Sequence, residues 1–252
     1  MNKKEFLDFF NLDEKLEASK IYEKYKLTDY GLSTFTESFY PPSIWAKIIK
    51  MKNTLKINVD TYGGFSQSER RIVMFEEEYP TELPVKFMCV KNLSKFKDLA
   101  HKDYLGAIMS LGIKREKMGD LIVKENCCYF PVFEDVARII ERDLESVGHN
   151  PVEIFYVEEL VEEVDFEEIT IVVSSQRLDS IVSALTKLSR EEAVKQIEKG
   201  EVFINYSEEK EKSLKLKEDD IISIRKYGKY KFDSLAGNTK KDKLRIVIKK
   251  FI

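Results

Sequence analysis

The chain has 252 residues, of which 43% are hydrophobic and 12% aromatic, and it carries 42 basic and 45 acidic side chains. A folded chain of this length can form one large domain or two to three small ones, each with its own core. No apolar run approaches the ~20 residues that a membrane-spanning helix needs, so no membrane association is expected.

The N-terminus and the cysteines exclude further classes of protein. The opening stretch, MNKKEFLDFFNLDEK, has acids where a signal peptide would have its apolar core, which predicts a cytoplasmic protein. The cysteines, Cys89 and the adjacent pair Cys127 and Cys128, form no C-x-x-C motif. A disulfide framework or a zinc site is therefore not expected. The sequence also has no P-loop or H-E-x-x-H motif, and we expect no cofactor and no small-molecule substrate.

Charge is segregated along the chain. Residues 153–168 contain eight acids and no Lys or Arg, whereas residues 225–252 contain ten bases and two acids, a net charge of +8. This change predicts a domain boundary near residue 170 and a basic C-terminal module. The acidic segment fits either a strand end and linker that repels RNA, or a docking site for a protein partner.

The first 75 residues are predicted to form an N-terminal region of helices and a hairpin. The stretch FLDFFNLDEKLEASKIYEKY has apolar residues at helical spacing, and a further helix is expected to open at Pro41 or Pro42. Two strands, LKINVDTY and RRIVMFEE, follow and are joined around Gly63 and Gly64.

Residues 76–165 are predicted to form a second domain. Its pattern reads strand (VKFMCV), helix (KDYLGAIMSLG), strand (DLIVKE), strand (CCYFPVF), helix (EDVARIIERDLESVG) and strand (VEIFYV). This β-α-β-β-α-β order is that of a ferredoxin-like, RRM-like sandwich. Glu125 and Asn126 suit a hairpin turn, and Gly148 suits a helix stop.

Residues 170–252 are predicted to form a third domain, which opens with two helices. In RLDSIVSAL the apolar side chains recur at i, i+3, i+4 and i+7, so they form one buried face, while Arg177 and Asp179 are expected to face solvent. Ser189 and Glu192 fit a capping box, and the second helix ends at Gly200. The strands VFIN and IISI follow, and KYGKYKF continues into a basic hairpin.

Arg177 and Arg190 stand at the first turns of these two helices, where the backbone dipole favours acids. Cations at such positions concentrate positive potential, which suits the binding of an anion such as phosphate. The alternative is that both arginines are solvated and pair with neighbouring acids such as Asp179. The two residues by themselves do not decide between these readings.

The C-terminal stretch resembles an S4 domain, a small RNA-binding fold with two packed helices and a β-hairpin. The matching elements are RLD at 177–179, SR at 189–190, Ala193, the run GEVFIN at 200–205 and DDIISI at 219–224. Many S4 domains have Gly where this chain has Tyr206, which leaves the local turn type open. The resemblance implies an RNA-facing surface, extended by the basic hairpin. Its predicted members are Arg177, Ser189, Arg190, Lys199, Asn205, Arg225, Tyr227, Lys229 and Lys231.

The middle of the chain narrows the resemblance to one group of S4 proteins. The run AHKDYLGAIMSLGIKREKMGDLIV at 100–123 and SSQRLDSIVSAL at 174–185 are similar to the YlmH-type S4 proteins of Gram-positive bacteria. That resemblance implies binding to the large ribosomal subunit, contacts with 23S rRNA and peptidyl-tRNA on obstructed subunits, and a role in quality control of stalled nascent chains. A link to cell division is a looser association. The bases Lys114, Arg115 and Lys117 are either a solvated loop or a second RNA-facing patch.

An RNA-modifying enzyme, for example one like a pseudouridine synthase, is the alternative function. Such an enzyme needs a catalytic aspartate, but Asp179 lies in the S4 helix, where a solvent or pairing role is expected. The histidines and cysteines have no partnered base nearby in the sequence. We therefore predict a binding protein with no catalytic residues.

Overall fold

The computed structural model describes residues 1–65, 67–76, 82–94, 98–157 and 166–251. The chain divides into two compact units, Met1–Glu162 and Glu163–Ile252. Helices and mostly antiparallel sheets occur in both units, which confirms the predicted α+β class. The predicted end of the middle domain at residue 165, and acidic residues 158–165, lie outside the described residues.

The described part of the N-terminal region of the first unit contains four short helices and a small sheet. The helices are α1 (Lys3–Leu7), α2 (Lys15–Lys26), α3 (Pro42–Lys50) and α4 (Lys52–Leu55), with a 3-10 turn at Leu27–Tyr30. The strands are β1 (Thr34–Phe35), β2 (Asn58–Tyr62) and β3 (Ile72–Glu76), in the order β1-β3-β2. The prediction of a helix that opens at the prolines is confirmed, since Pro42 is the first residue of α3 and Pro41 precedes it.

The second part of this unit has the predicted β-α-β-β-α-β order, with one added short strand. Its strands are β4 (Val85–Asn92), β5 (Ile122–Lys124), β6 (Cys127–Phe133), β7 (Ser146–Val147) and β8 (Asn150–Tyr156). Its helices are α5 (His101–Ser110) and α6 (Glu134–Asp143). The sheet order β5-β6-β4-β8-β7 contains the ferredoxin-like arrangement, and every pair is antiparallel.

Two turns of this domain were predicted, one correctly. Glu125 and Asn126, with φ of 49° and 65°, connect β5 to β6 as expected for a tight hairpin. Gly148 does not stop α6, because the helix already ends at Asp143. Instead Gly148, with φ of 61°, forms the turn between β7 and β8. Glycine suits a helix stop and this turn for the same physical reason, because only glycine adopts a positive φ freely.

The N-terminal region packs on the sheet face of the ferredoxin-like domain that is opposite its helices. Phe39 contacts Phe133, with 5.4 Å between ring centroids, and Phe65 contacts Phe87 at 5.0 Å. In many RRM domains RNA binds to this face of the sheet. Here the N-terminal region of the same chain covers part of that face.

In the second unit, residues 166–251 contain two helices and a sheet of six strands. The helices are α7 (Leu178–Thr186) and α8 (Arg190–Glu198). The strands are β9 (Phe166–Val173), β10 (Val202–Ile204), β11 (Ser207–Glu208), β12 (Ile221–Ile224), β13 (Gly228–Asn238) and β14 (Leu244–Phe251). Their order is β11-β10-β12-β13-β14-β9, so the sheet is larger than the predicted hairpin.

Strand β9 is an element that the sequence analysis did not predict. It contains Glu167 and Glu168, the last two acids of segment 153–168, and pairs antiparallel with β14. Glu168 is opposite Lys249, and Glu167 is opposite Lys250, whose Nζ lies 2.7 Å from the Glu167 carboxylate. These two acids therefore belong to a strand of the C-terminal unit and not to a linker, because the basic strand β14 provides charge partners for them.

One continuous core holds the C-terminal unit together. It contains the buried helix residues Leu178, Ile181, Val182, Ala193 and Ile197 together with alternate residues of the sheet. The predicted helix face is thus confirmed, and both helices lie on the same side of the sheet. Within the described ranges, no helix is long and apolar enough to cross a membrane, and no group of three or more His, Cys, Asp or Glu side chains could hold a metal ion.

Candidate nucleic-acid interface

The starts of α7 and α8 are joined by one carboxylate. Asp179, the second residue of α7, accepts hydrogen bonds from Arg177 Nε and Nη2, both at 3.2 Å, and from Arg190 Nε and Nη2 at 3.0 and 2.9 Å. It also accepts the backbone N–H of Ser180 at 2.8 Å. One carboxylate thus holds two guanidinium groups side by side, which is the charge-assisted, planar geometry that arginine favours.

The prediction that Asp179 faces solvent is wrong. Only 3% of this residue is exposed, although Arg177 and Arg190 keep 40% and 53% of their side chains exposed. A carboxylate can be buried here because two cations and a backbone N–H satisfy it. The hydrogen-bond partners of Asp179 are the arginines and not water. The acid of the R-L-D motif therefore holds both cations in place.

The pKa of Asp179 reflects these partners. Burial acts to raise the pKa of the carboxyl, but hydrogen bonds from Arg177 and Arg190 and the charges of both guanidinium groups lower it below its ordinary value. The carboxylate therefore stays ionised over the physiological pH range. The cluster of Arg177, Asp179 and Arg190, called the arginine pair below, carries a formal net charge of +1.

Three guanidinium N–H groups of each arginine remain for a ligand. Each guanidinium has five N–H donors, of which Asp179 engages two. In the part of the chain that the structure describes, Asp179 is the only acceptor of either group. The helix starts add positive potential of their own. The arrangement suits an anion with several oxygens, such as a phosphate of an RNA backbone.

Ser189 and Asn205 have local structural roles. Ser189 caps α8 as predicted: its hydroxyl donates to Glu192 Oε2 at 2.7 Å, and the N–H of Glu192 donates to its oxygen at 3.3 Å. The Asn205 amide donates to Asp220 at 2.8 Å and accepts the N–H of Ile221 at 2.9 Å. A contact of either side chain with RNA stays a prediction.

The structure gives the type of the turn after β10, which the sequence left open because Tyr206 stands where many S4 domains have Gly. Asn205 and Tyr206 have φ of 48° and 64°, so both adopt the left-handed conformation of a two-residue hairpin turn. The turn therefore needs a left-handed backbone at residue 206, which tyrosine adopts at a higher cost than glycine.

Two of the remaining predicted residues lie at the far end of α8. Lys199 is exposed where the helix ends before Gly200, as predicted. Arg225 is exposed in the turn between β12 and β13, and its backbone N–H donates to the carbonyl of Glu201 at 2.9 Å. Tyr227, in the same turn, is half-buried against the core of this unit.

Lys229 and Lys231 lie on the side of the sheet away from the helices. The residues that alternate with them along β13, Tyr230 and Phe232, are buried in the core beneath α7 and α8. Lys231 forms an ion pair with Asp219 at 2.7 Å. The predicted residues therefore do not form one continuous surface, since these two lysines face away from the arginine pair.

An aromatic cluster that the sequence analysis missed surrounds Lys229. Its Nζ lies 4.6 Å from the ring centroid of Tyr206 and 4.8 Å from that of Phe251, and Phe251 contacts Phe166 with centroids 5.0 Å apart. Lysine over aromatic faces is a cation–π arrangement. The alternation of RIVIKKF could have indicated the exposed face, but only the pairing of β9 with β14 brings the two phenylalanines together.

The basic loop of the middle domain is mainly structural. Arg115 Nη1 donates to the carbonyls of Met118 and Gly119, both at 2.8 Å, and burial lowers its pKa to about 10. Lys117 Nζ donates to the carbonyl of Glu37 at 2.8 Å. Lys114 alone of these three bases is exposed. The structure thus favours the reading of this loop as a connector over that of a second RNA patch.

The glycine pair Gly63-Gly64 is explained by close packing. A Cβ atom on Gly64 would lie 2.6 Å from Pro131 Cγ on β6, and one on Gly63 would lie 2.3 Å from Ser68 Cβ. These distances leave no space for a side chain. Glycine is therefore required here for the approach of the loop to its neighbours.

Two matched families agree with the order of the middle and C-terminal domains. Residues 75–160 match the family described as "Putative RNA-binding domain in YlmH", and residues 176–222 match the S4 domain. The chain is 27% identical to the "Ribosome-associated protein quality control protein P2" of Bacillus subtilis (strain 168), over 95% of this chain and 93% of that protein. A solved structure, "Cell division protein ylmH from Streptococcus pneumoniae", aligns with 21% identity and a TM-score of 0.48, over 59% of this chain and 93% of that one.

Proposed function

Because the chain carries a YlmH-type RNA-binding domain followed by an S4 domain, we propose that it binds the large ribosomal subunit and supports quality control of stalled nascent chains. In this proposal the S4 domain contacts 23S rRNA and the peptidyl-tRNA that remains on obstructed subunits. The name of the Bacillus subtilis relative supports the ribosomal role. The protein would then work in the cytoplasm, where ribosomes translate.

The single observation that carries this proposal is the arginine pair. Two guanidinium groups at two helix starts are held by one buried carboxylate and keep 40% and 53% of their side chains exposed. This arrangement fixes both cations before any ligand arrives, which lowers the entropy cost of binding. Phosphate contacts of this kind position a nucleic acid without reading its bases.

The same observation favours binding over modification of RNA. The aspartate that an enzyme like a pseudouridine synthase would need is engaged by Arg177, Arg190 and the N–H of Ser180. It is also buried, so a substrate base could not reach it. Asp179 therefore acts in this proposal as the residue that positions the two arginines.

The test is a double substitution, Arg177→Ala with Arg190→Ala, assayed for binding to a fluorescein-labelled RNA stem-loop over a range of salt concentrations. Loss of two phosphate contacts should weaken binding and lower the slope of log affinity against log salt by about 1.4–1.8, since each neutralised phosphate contributes ~0.7–0.9. Sedimentation of the same variants with large ribosomal subunits gives a second readout.

The matched control is Lys20→Ala with Lys26→Ala. These two lysines of α2 lie outside both matched RNA-binding regions, are 57% and 38% exposed, and each pairs with an acid three residues away, so their removal changes the net charge equally. The control should keep the affinity and the slope of the parent protein. Equal slopes for the parent and the Arg177/Arg190 variant would show that the arginine pair does not hold phosphates.

A further inference from the structure

The hairpin formed by β13 and β14 ends in an ordered turn that lies beyond the matched S4 region of residues 176–222. The N–H of Thr239 donates to the carbonyl of Lys243 at 2.7 Å, and the N–H of Asp242 donates to the carbonyl of Thr239 at 2.9 Å. The Asn238 amide donates to the Asp242 carboxylate at 3.0 Å. The turn is thus closed by its own hydrogen bonds.

This turn, called the hairpin tip below, presents four cations. Residues 238–245 contain Lys240, Lys241, Lys243 and Arg245 against a single acid, Asp242, a formal net charge of +3. All four cations are exposed. Across the described ranges none of them forms an ion pair, whereas Lys231, Lys249 and Lys250 of the same two strands each pair with an acid. The sheet thus pairs these three lysines with acids and leaves the cations of the tip in solvent.

The sheet register puts the hairpin tip at the same end of the unit as the arginine pair. Leu244, the first residue of β14, pairs with Val173, the last residue of β9. Only three residues separate Val173 from Arg177, so their Cα atoms are at most about 14 Å apart for a fully extended chain. Strand β14 pairs with β9 from Leu244 onward, so the tip joins the paired part of the sheet directly.

We propose that the hairpin tip is a second phosphate-binding surface, which contacts the backbone of the same RNA that the arginine pair holds. This inference rests on the proposed function and adds to it a contact outside the S4 match. Lysine acts on phosphate as a point charge, so the tip recognises the RNA backbone without regard to sequence. An RNA partner fits the tip because the tip cations have no acidic partners among the residues that the structure describes, whereas a phosphate backbone supplies a row of anions.

The test is the triple substitution Lys240→Gln, Lys241→Gln and Lys243→Gln in the full chain, with the fluorescein-labelled RNA stem-loop as the probe. Loss of three phosphate contacts should lower the salt slope by about 2–3 and weaken binding most at low salt. The charge-matched control is Lys4→Gln, Lys50→Gln and Lys52→Gln, three exposed lysines of the N-terminal region. A second variant, Lys240→Arg with Lys241→Arg and Lys243→Arg, keeps the charge and should keep the affinity.

The outcomes separate this inference from the proposed function. If the tip variant keeps the parent slope while the Arg177/Arg190 variant loses affinity, the tip is not an RNA contact and the proposed function stands. If both variants keep the parent slope, the proposed function fails as well. If the tip variant keeps its affinity for the stem-loop but no longer sediments with large ribosomal subunits, the tip contacts another part of the subunit and the inference is overturned.

Discussion

At the scale of single residues, Asp179 connects sequence, electrostatics and binding. An acid near a helix start is favoured by the backbone dipole, and here the same acid also compensates two arginines that the dipole disfavours. Removal of the carboxylate would leave two guanidinium groups close together without a counter-charge. The residue therefore matters for stability as well as for the geometry of the arginine pair.

We expect Asp179→Asn to destabilise the C-terminal unit by about 1–3 kcal/mol, as is usual for the loss of hydrogen bonds to a charged group. The pKa of Asp179 is lowered in the folded state, so its ion pairs stabilise the protein above the unfolded-state pKa of about 3.9. This stabilisation is lost as the pH falls through the folded-state pKa. The free energies of unfolding of the parent protein and the variant, measured with urea, should therefore differ at pH 7 and become equal in acid.

The control for this substitution is Asp135→Asn. Asp135 is also the second residue of a helix and accepts the N–H of the next residue, at 2.9 Å, but it is exposed. A loss of stability as large in this control would mean that the helix start, and not the arginine pair, accounts for the effect.

At the scale of elements, the contact between the N-terminal region and β6 depends on closely packed glycines. A Cβ atom on Gly119 would lie 2.5 Å from Pro131 Cγ and 3.2 Å from Phe39 Cε1. Pro131 belongs to a strand that is paired on both sides, so it has little freedom to move. The backbone of residue 119 fits only without a side chain.

We expect Gly119→Ala to lower the free energy of unfolding by about 1–3 kcal/mol, the usual cost of overpacking a core. The matched control is Gly106→Ala, because Gly106 lies within α5 and a Cβ atom there meets nothing within 4 Å. That control should be neutral or stabilise the helix by up to about 1 kcal/mol. Thermal unfolding would measure both, and equal stability of the two variants would contradict the packing argument.

At the scale of the whole molecule, the C-terminal unit contains a complete core, to which β9 is essential. Ile171 and Val173 of this strand are 8% and 4% exposed, and the strand pairs with β14 over eight residues. Without β9, the strand β14 would become an unpaired edge. Its first described strand therefore contains Glu167 and Glu168, from the acidic segment for which the charge pattern left open a strand end and linker or a docking site.

We expect a fragment of residues 163–252 to fold by itself, whereas a fragment of residues 174–252 should lose cooperative unfolding because it lacks β9. Circular dichroism during heating would compare the two fragments. The longer fragment should also bind the RNA stem-loop. Cooperative melting of the shorter fragment at the same temperature would show that β9 is dispensable.

The predicted elements were most accurate where local periodicity decides the structure. The helix face of Leu178, Ile181 and Val182, the capping box at Ser189 and the turn at Glu125 and Asn126 all follow from residues close together in the sequence. Strand β9 was missed because its alternation is interrupted by acids, which are compensated only by lysines more than 80 residues away. The domain boundaries proposed at residues 75–76 and 165–170 stay predictions.

The sequence by itself determined the α+β class, the order of elements in the ferredoxin-like domain, and the resemblance to YlmH-type S4 proteins, since these depend on local patterns and motifs. Only the tertiary structure decided where the charges lie. In the folded chain Asp179 is buried between two arginines. Lys229 and Lys231 lie on the opposite side of the sheet, and the hairpin tip lies at the end of the unit where α7 begins. Side-chain direction and charge compensation depend on partners distant in sequence, which a local pattern does not contain.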